Sequence, residues 1–375
     1  MGNIIFLGGE DVSARIEISK KFIALGYEIE IIGTEAEDKF IQNDIPYQRY
    51  SLNRELNILS DIKTILELRK IFKSKKKGSI VHAFDTKLTM YLPLCAIGLG
   101  NIKIARTITG MGRIFTEKSF KNSVLKFIYN TLQKMVNLRV DFTVFQNSDD
   151  YKYFIKHKLL KNYRAEIIKS SGIDLEKFGV EVNSLKLKNL KNELKLKDKK
   201  TFILVSRMVK QKGILNYLEA AKLCYENGSN FNFLLVGQLD SDESIKLEEI
   251  KEYEKYVKYL GRREDVKELL AISDVFVLPT YYREGVPRVL LEASAMGLAL
   301  IATDMPGCRD VVVDEYNGKL IETKNSEDLY LKIRYIGNSD ELLDKFSKNA
   351  KHKVQEFDLN KIVSKYDEVY RKIGI

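Results

Sequence analysis

Apolar residues in the first 146 positions alternate between two patterns. Residues 4–7, 29–32, 80–83, 103–108 and 142–146 are short apolar runs, the first two closed by Gly8-Gly9 and Gly33. Runs of that length predict strands buried on both faces, as in a parallel sheet covered by helices. Between them, residues 12–25, 56–72 and 120–138 carry apolar side chains at helical spacing, and Gly26 ends the first stretch. Strand and helix signals in alternation predict an α/β fold on a doubly wound parallel sheet.

A second alternation follows. Strands are expected at 202–205, 231–236, 256–260, 275–278, 298–303 and around 318–321, with helices at 214–226 and 266–272 and another opening at Pro287. The intervening residues 181–200, Glu-Val-Asn-Ser and then a Lys- and Leu-rich stretch, read as a connection between domains. Residues 362–373 form a short amphipathic pattern. The expected layout is two Rossmann-like domains, 1–178 and 179–355, with 356–375 a helix that packs back on the first. A chain of 375 residues exceeds what one core usually spans. Tandem units of this kind place ligands beyond the carboxyl ends of their strands, in a central cleft.

Charge narrows the choice of partner. Lys and Arg number 62 against 52 Asp and Glu, a net charge of +10. That balance favours phosphorylated substrates, an acidic membrane or nucleic acid. The sequence has no zinc, RNP or helix-turn-helix signature, so nucleic acid is not expected. Cys95, Cys224 and Cys308 are odd in number and far apart, the usage of a reducing cytoplasm. The N-terminus reads as a first strand and not as a signal peptide. The longest apolar stretch, 88–104, is broken by Pro93, Gly98, Gly100 and Lys103, whereas a spanning helix needs about 20 apolar residues. A cytoplasmic protein is expected, peripheral to the inner membrane face at most.

The richest stretch is Glu284-Gly285-Val286-Pro287-Arg288-Val289-Leu290-Leu291-Glu292-Ala293-Ser294-Ala295-Met296-Gly297. Pro287 suits a helix start, where a missing N–H is harmless, and the free N–H groups there favour anions. Glu284 and Glu292 bracket that start. Upstream, Ser206-Arg207-Met208-Val209-Lys210-Gln211-Lys212-Gly213 leaves a strand with cations suited to a diphosphate and with Gly213 opening a helix.

These strings resemble the donor site of the family 4 retaining glycosyltransferases, a Glu-x7-Glu signature in an E-G-x-P-x-x-x-x-E-A-x-A-x-G frame with an upstream G/S-R-x-x-x-x-K-G loop. The resemblance implies a GT-B fold and a nucleotide diphosphate sugar donor, expected to be UDP-linked. It implies that Arg207 and Lys212 hold the phosphates and stabilise the leaving charge. Glu292 would accept hydrogen bonds from the ribose, and Glu284 would contact the donor sugar. Gly285 and Val286 would offer backbone N–H groups beside Pro287. Gly237 and the 259–266 loop, with Arg263, would line the base. Residues 274–280 are similar to the family's A-D-x-x-x-x-P-S strand. No cofactor beyond the donor and no metal is expected, since this fold class neutralises the diphosphate with cations.

The first domain resembles the family more loosely. Gly9 would let the backbone approach the diphosphate, and Arg15 resembles an Arg near this position in some members. Val81-His82-Ala83-Phe84-Asp85-Thr86-Lys87 resembles an H-x-H or H-x-x-x-x-K motif, with Phe84 in place of the second His. His82 is thereby a catalytic candidate and Lys87 an acceptor-side one. Arg106-Thr107-Ile108-Thr109-Gly110-Met111-Gly112 resembles the T-x-T-G-L-G loop of members that extend polyprenyl-diphosphate-linked sugars, which puts Thr109 and Gly110 on the acceptor side. The expected reaction is retaining transfer to a lipid-linked or free saccharide in bacterial surface polysaccharide or glycan assembly. A nucleotide-sugar 2-epimerase of the same architecture and a non-catalytic nucleotide-sugar-binding subunit stand as alternatives. The segment Lys73-Ser74-Lys75-Lys76-Lys77 and the Lys-studded 118–139 helix are expected to contact an anionic membrane.

Overall fold

Every named strand pairs in parallel with its neighbours. The computed structural model describes residues 2–53, 57–115, 119–160, 164–179, 182–196, 198–239, 244–283 and 285–374, with only the backbone for Arg113 and Lys121. It divides into two units, residues 1–172 with 359–375, and residues 173–358.

The first unit holds strands β1 (Asn3–Leu7), β2 (Glu28–Gly33), β3 (Tyr47–Arg49), β4 (Ser79–Ala83), β5 (Ile102–Ile108), β6 (Phe142–Phe145) and β7 (Ala165–Ile167). Their spatial order is β3-β2-β1-β4-β5-β6-β7. The order reverses between β1 and β4, so the loops leaving these two strands diverge and open a crevice at their carboxyl ends. Ile4 through Leu7 are fully buried and alternate between two cores. Phe6 packs with Phe22 of the Ile16–Ala24 helix and with Tyr366 and Tyr370 of the C-terminal helix Leu359–Ile373. Leu7 packs with Leu68 and Phe72 of the Ile58–Lys73 helix and with Leu88 and Leu92 of the Leu88–Cys95 helix. That second helix ends two residues after Pro93.

The C-terminal helix buries Leu359, Ile362, Val363, Tyr366, Val369, Tyr370 and Ile373, the spacing of a single apolar stripe. Polar contacts fix its rotation: Lys372 pairs with Glu166 at 2.9 Å, and Tyr27 donates to Asp367. At the other edge, Lys75 bonds Glu30 at 2.6 Å and Gln48 at 3.1 Å, while Lys76 bonds Glu28 at 2.5 Å. Two of the lysines expected at a membrane are therefore committed to carboxylates of β2.

The second unit holds β8 (Thr201–Val205), β9 (Asn232–Val236), β10 (Lys258–Tyr259), β11 (Val275–Leu278), β12 (Ala299–Thr303) and β13 (Gly318–Ile321), in the order β10-β9-β8-β11-β12-β13. Its reversal lies between β8 and β11. Residues 181–200 are not a bare connection. They contain the helix Ser184–Glu193, capped by Asn183, and its Leu190 joins Leu194, Ile203, Leu269 and Leu290 in this unit's core. Residues 326–353, where the apolar pattern is diluted by charge, form the helices Ser326–Gly337 and Asp340–Lys353, capped by Asn325 and Ser339. No helix among the described residues is long and apolar enough to cross a membrane.

His82 requires a correction. It is fully buried in β4, with Nδ1 2.7 Å from the Tyr370 hydroxyl and Nε2 2.8 Å from the Thr107 hydroxyl. Its ring stacks on Phe84 with centroids 4.2 Å apart. Burial holds its pKa well below the ordinary imidazole value, so the ring is neutral, with one nitrogen donating and the other accepting. A histidine with both nitrogens occupied inside a core has no lone pair or proton for a substrate. It ties β4, β5 and the C-terminal helix together and leaves the catalytic set. Tyr370→Phe should then cost about 1–3 kcal/mol, the penalty for orphaning a buried polar group. Urea unfolding measures this, and unchanged stability would remove the bond from the account.

Candidate active site

The loops after β8 and β11 leave the second sheet from adjacent strands, and Gly213 is where they meet. Its φ is +75°, and a Cβ on it would lie 2.0 Å from the carbonyl oxygen of Pro279, so a side chain fits neither the backbone nor the space. On the same seam the Gln211 carbonyl accepts from the Tyr281 N–H at 2.9 Å and the Thr280 hydroxyl at 3.1 Å. The Lys210–Lys212 turn is thereby pinned to the segment that runs into residues 285–297. Lys212 is half-buried. Arg207 is exposed, and its side chain makes no hydrogen bond or ion pair with another described residue. The Ile214–Glu226 helix starts directly after Gly213, so its unsatisfied first-turn N–H groups open at this loop.

Gly237 closes the neighbouring side. With φ at +152°, a Cβ there would lie 1.8 Å from the Ser206 carbonyl oxygen. Its N–H donates to the Gly261 carbonyl at 2.8 Å, and its own carbonyl accepts from the Tyr259 hydroxyl at 2.8 Å. The loops after β8, β9 and β10 therefore form one connected rim. Arg263 stands on that rim with its fork occupied. Its Nε and Nη2 donate to the two carboxylate oxygens of Asp265 at 2.8 and 2.7 Å, and Nη1 reaches Glu193 at 3.4 Å. These bonds raise its pKa further and spend its planar donors. The Arg263 guanidinium is thus engaged within the loop and with the Ser184–Glu193 helix, while the loop backbone stays at the rim.

The signature helix runs over Arg288–Met296, with Pro287 at its N-cap, one position before the first turn. Gly285 and Pro287 are buried and Val286 is half-buried. Glu284 lies outside the described residues. Glu292 is 18% exposed and accepts from Arg288 Nε at 3.0 Å. Burial raises its pKa, and the Arg288 cation opposes that rise only in part. The result is a carboxylate short of solvation one turn into the helix, able to accept from hydroxyl groups. Arg288 is the residue the sequence reading passed over; it sits inside the signature, but only its i,i+4 spacing from Glu292 signals the pair. Asn317 is fully buried and bonded to the Val313 N–H and the Val311 carbonyl, so it is a turn residue.

In the first unit the crevice between β1 and β4 gathers Gly9, Arg15, Asp85 and Lys87. A Cβ on Gly9 would stand 3.1 Å from Asp85 Oδ2, and Asp85 Oδ1 accepts from the Lys87 N–H at 2.9 Å. Lys87 Nζ donates to the Asn53 carbonyl at 2.9 Å and pairs with Asp61 at 3.1 Å. The Arg15 guanidinium lies 4.1 Å over the Phe84 ring and donates to Ser171. Thr109 donates weakly to the Phe84 carbonyl at 3.4 Å, and Gly110 takes φ +138° at the end of β5. Asp85 was in the quoted motif without a role; its place between Gly9 and Lys87 makes it part of this site.

Comparisons bear on these two loop clusters. Residues 186–353 match the family model described as "Glycosyl transferases group 1". The chain is 32% identical over 267 residues to the Campylobacter jejuni N,N'-diacetylbacillosaminyl-diphospho-undecaprenol alpha-1,3-N-acetylgalactosaminyltransferase, covering 71% of this chain and 69% of that protein. It is 30% identical over 325 residues to the Escherichia coli UDP-Gal:alpha-D-GlcNAc-diphosphoundecaprenol alpha-1,3-galactosyltransferase, covering 85% and 82%. Among solved structures, Anabaena Alr3699/HepE in complex with UDP-glucose superimposes with a TM-score of 0.80 at 17% identity, over 98% of this chain and 99% of that one. A glycosyltransferase from Rickettsia africae ESF-5 gives 0.78 at 20% identity, over 99% and 98%.

The seam at Gly213 generates a direct test. Gly213→Ala adds a methyl group against the Pro279 carbonyl and forces an L side chain to positive φ. Each effect costs on the order of 1–2 kcal/mol. The expected outcome is a fall in unfolding free energy of about 2–4 kcal/mol, read by urea denaturation. A variant as stable as the parent would mean that the seam is not rigid.

Proposed function

We propose that this chain, which belongs to the group 1 glycosyl transferases, moves a sugar from a UDP-linked donor, with retention of anomeric configuration, to a saccharide carried on a polyprenyl diphosphate. The acceptor class rests on the two relatives, whose names specify diphospho-undecaprenol-linked saccharides, and the donor class on the UDP-Gal of the Escherichia coli protein. The pathway in this reading is assembly of a bacterial surface polysaccharide or glycan at the inner face of the cytoplasmic membrane.

The observation that carries the reading is the seam between the β8 and β11 loops, which gathers Arg207, Lys212 and the start of the Ile214–Glu226 helix beside the segment that leads into Gly285 and Pro287. A nucleoside diphosphate leaves with negative charge, and donors fixed beforehand at that charge lower the barrier most. Arg207 meets the diphosphate with a planar fork and Lys212 with a point charge. In this reading the two cations and the helix N-termini supply the positive potential themselves, without a metal ion. Glu292 accepts from the ribose hydroxyls and recovers the solvation that burial removed. Gly285 and Val286 offer N–H groups to the donor, Gly237 and the 259–263 backbone line the base, and Glu284 contacts the donor sugar. Gly9, Arg15, Asp85, Lys87, Thr109 and Gly110 make up the acceptor side.

Arg207→Ala and Lys212→Ala should each lower kcat/KM at least about a hundredfold, the loss expected for a charge contact made in the transition state. Parent-like kinetics in both would sink the assignment. For Glu292 the two readouts part company. Its native carboxyl titrates above its unfolded value, so its contribution to stability is present at acid pH and is lost as the pH rises through the native pKa. Glu292→Gln should therefore leave the ligand-free protein at least as stable as the parent at neutral pH. Calorimetry should show weaker UDP binding in the same variant, with the gap closing as the pH is lowered and the parent carboxylate protonates. A pH-independent gap would assign Glu292 a role other than accepting ribose hydroxyls.

A further inference from the structure

The helix Phe120–Val136 shows an inverted surface. Its inner side buries Tyr129, Gln133 and Val136. Its outer side, facing solvent, is apolar: Phe120 is 88% exposed, Phe127 74% and Met135 61%, with Val124, Ile128 and Leu132 between them. Soluble proteins do not usually display a stripe of large apolar side chains along a helix of about 25 Å. The charge pattern is equally one-sided. Residues 118–136 contain Lys118, Lys121, Lys126 and Lys134 and no carboxylate. Lys126 and Lys134 form no ion pair with described residues. Lys126 sits 5.5 Å over the Phe115 ring, in the short 3-10 turn that follows the Thr109-Gly110 loop.

We propose that the exposed face of the Phe120–Val136 helix docks the protein on an anionic lipid bilayer, lying in the interface plane with its phenylalanines among the acyl chains and its lysines at the headgroups. The inference rests on the lipid-linked acceptor proposed above and adds the surface that meets the lipid. An amphipathic helix with aromatic and aliphatic residues on one side and lysines beside them is the chemistry that anionic membranes bind. A protein partner or a second copy would match the apolar stripe, but neither accounts for a helix without a single acid. The helix begins nine residues after Met111, and its Lys126 lies over Phe115 in the turn that follows the Thr109-Gly110 loop, so the docked face adjoins the proposed acceptor side. The apolar surface continues on the same side of the sheet, where the Ile58–Lys73 helix exposes Ile58, Leu59 and Ile62 and packs on the Leu88–Cys95 helix, which in turn packs on Phe120–Val136. The Lys73–Lys77 segment, by contrast, has Lys75 and Lys76 already paired with Glu30 and Glu28.

The full chain is sedimented with vesicles of phosphatidylcholine alone and of phosphatidylcholine with an equal share of phosphatidylglycerol. The parent should bind the second and not the first, less so as salt shortens the reach of each charge below the ~8 Å of physiological ionic strength. Phe120→Ser/Phe127→Ser should weaken binding at least about tenfold, and Lys126→Gln/Lys134→Gln roughly fivefold per charge. Lys73→Gln/Lys77→Gln should change it less than about twofold. All these side chains are exposed except the half-buried Lys126, and matching melting curves confirm that each variant is folded. Equal binding to neutral vesicles, parent-like binding by the phenylalanine variant, or equal loss in the Lys73/Lys77 variant overturns the proposal. So does a dimer in sedimentation velocity that the phenylalanine variant dissolves while vesicle binding persists. Turnover on a water-soluble short-chain acceptor separates the two readings. Activity retained in the phenylalanine variant with binding lost supports the docking face, whereas activity with no vesicle binding by the parent defeats docking and leaves the transferase standing. No turnover of any UDP-sugar defeats the transferase reading itself.

Discussion

The close approach of Gly213 to the Pro279 carbonyl is the constraint on which the loops of the second unit depend. A doubly wound sheet offers a binding crevice only where strand order reverses, and here that point lies between β8 and β11. Two loops that diverge from such a point would ordinarily be mobile. In this chain they are bound to each other: backbone meets backbone at residue 213, and Gln211 accepts from both Thr280 and Tyr281. Rigidity at the seam fixes the direction in which the Ile214–Glu226 helix points its N-terminus. It also sets where the chain enters the Arg288–Met296 helix. The first unit meets the same requirement differently. Its crevice between β1 and β4 is held by side chains, with Asp85 against Gly9 and Lys87 tied to Asp61.

Charge in this molecule divides into committed and uncommitted groups, and the division is more telling than the total. Arg263, Lys75, Lys76 and Lys87 have carboxylate partners, whereas Arg207 has none among the described residues. Arg106 is a third case. It is fully buried in β5, and the acceptors recorded for it are neutral: Gln133 at 2.7 Å, Thr143 at 3.1 Å and Asn137 at 3.4 Å. Burial lowers its pKa to about 10, so it stays charged at neutral pH. Its ligands Gln133 and Asn137 lie on and just past the last turns of the Phe120–Val136 helix, whose terminal carbonyls carry the negative end of the helix dipole. A helix with an apolar outer face is thus held to the sheet from within by a cation.

Much of this was legible in the residue order. Continuous apolar runs marked Ile4 to Leu7 and Phe202 to Leu204 because strands covered on both faces have no polar side to show. The string from Arg207 to Gly213 singled out the loop after β8, where contact with the Pro279 carbonyl leaves room only for glycine at position 213. Illegible were the relations between distant residues. His82 looked chemical because nothing in its neighbourhood revealed that hydroxyls from Thr107 and Tyr370, 25 and 288 positions away, would occupy its nitrogens. Lys75 and Lys76 looked like free cations until β2 brought Glu28 and Glu30 beside them. The helices at 326–353 escaped because lysines and acids dilute their apolar stripe, while their signals sit in the caps Asn325 and Ser339. Residues 181–200 read as a connection because their leucines are interleaved with lysines, yet Leu190 and Leu194, with Leu187 and Leu196 beside them, anchor the segment to a core.

The return of the C-terminal helix to the first unit has a consequence for synthesis. Nascent chains usually complete domains in order from the amino end, at about 5–20 residues per second. Here the first unit lacks Tyr366, Val369 and Tyr370 of its core until residues 359–375 emerge, whereas residues 173–358 precede them. In chain order, therefore, the second unit has all its core residues before the first unit does. Until then one face of β1 and β4 stands open, and His82 waits for its hydroxyl partner. Of the two units, the one whose strands come first in the chain is the one whose core is completed second.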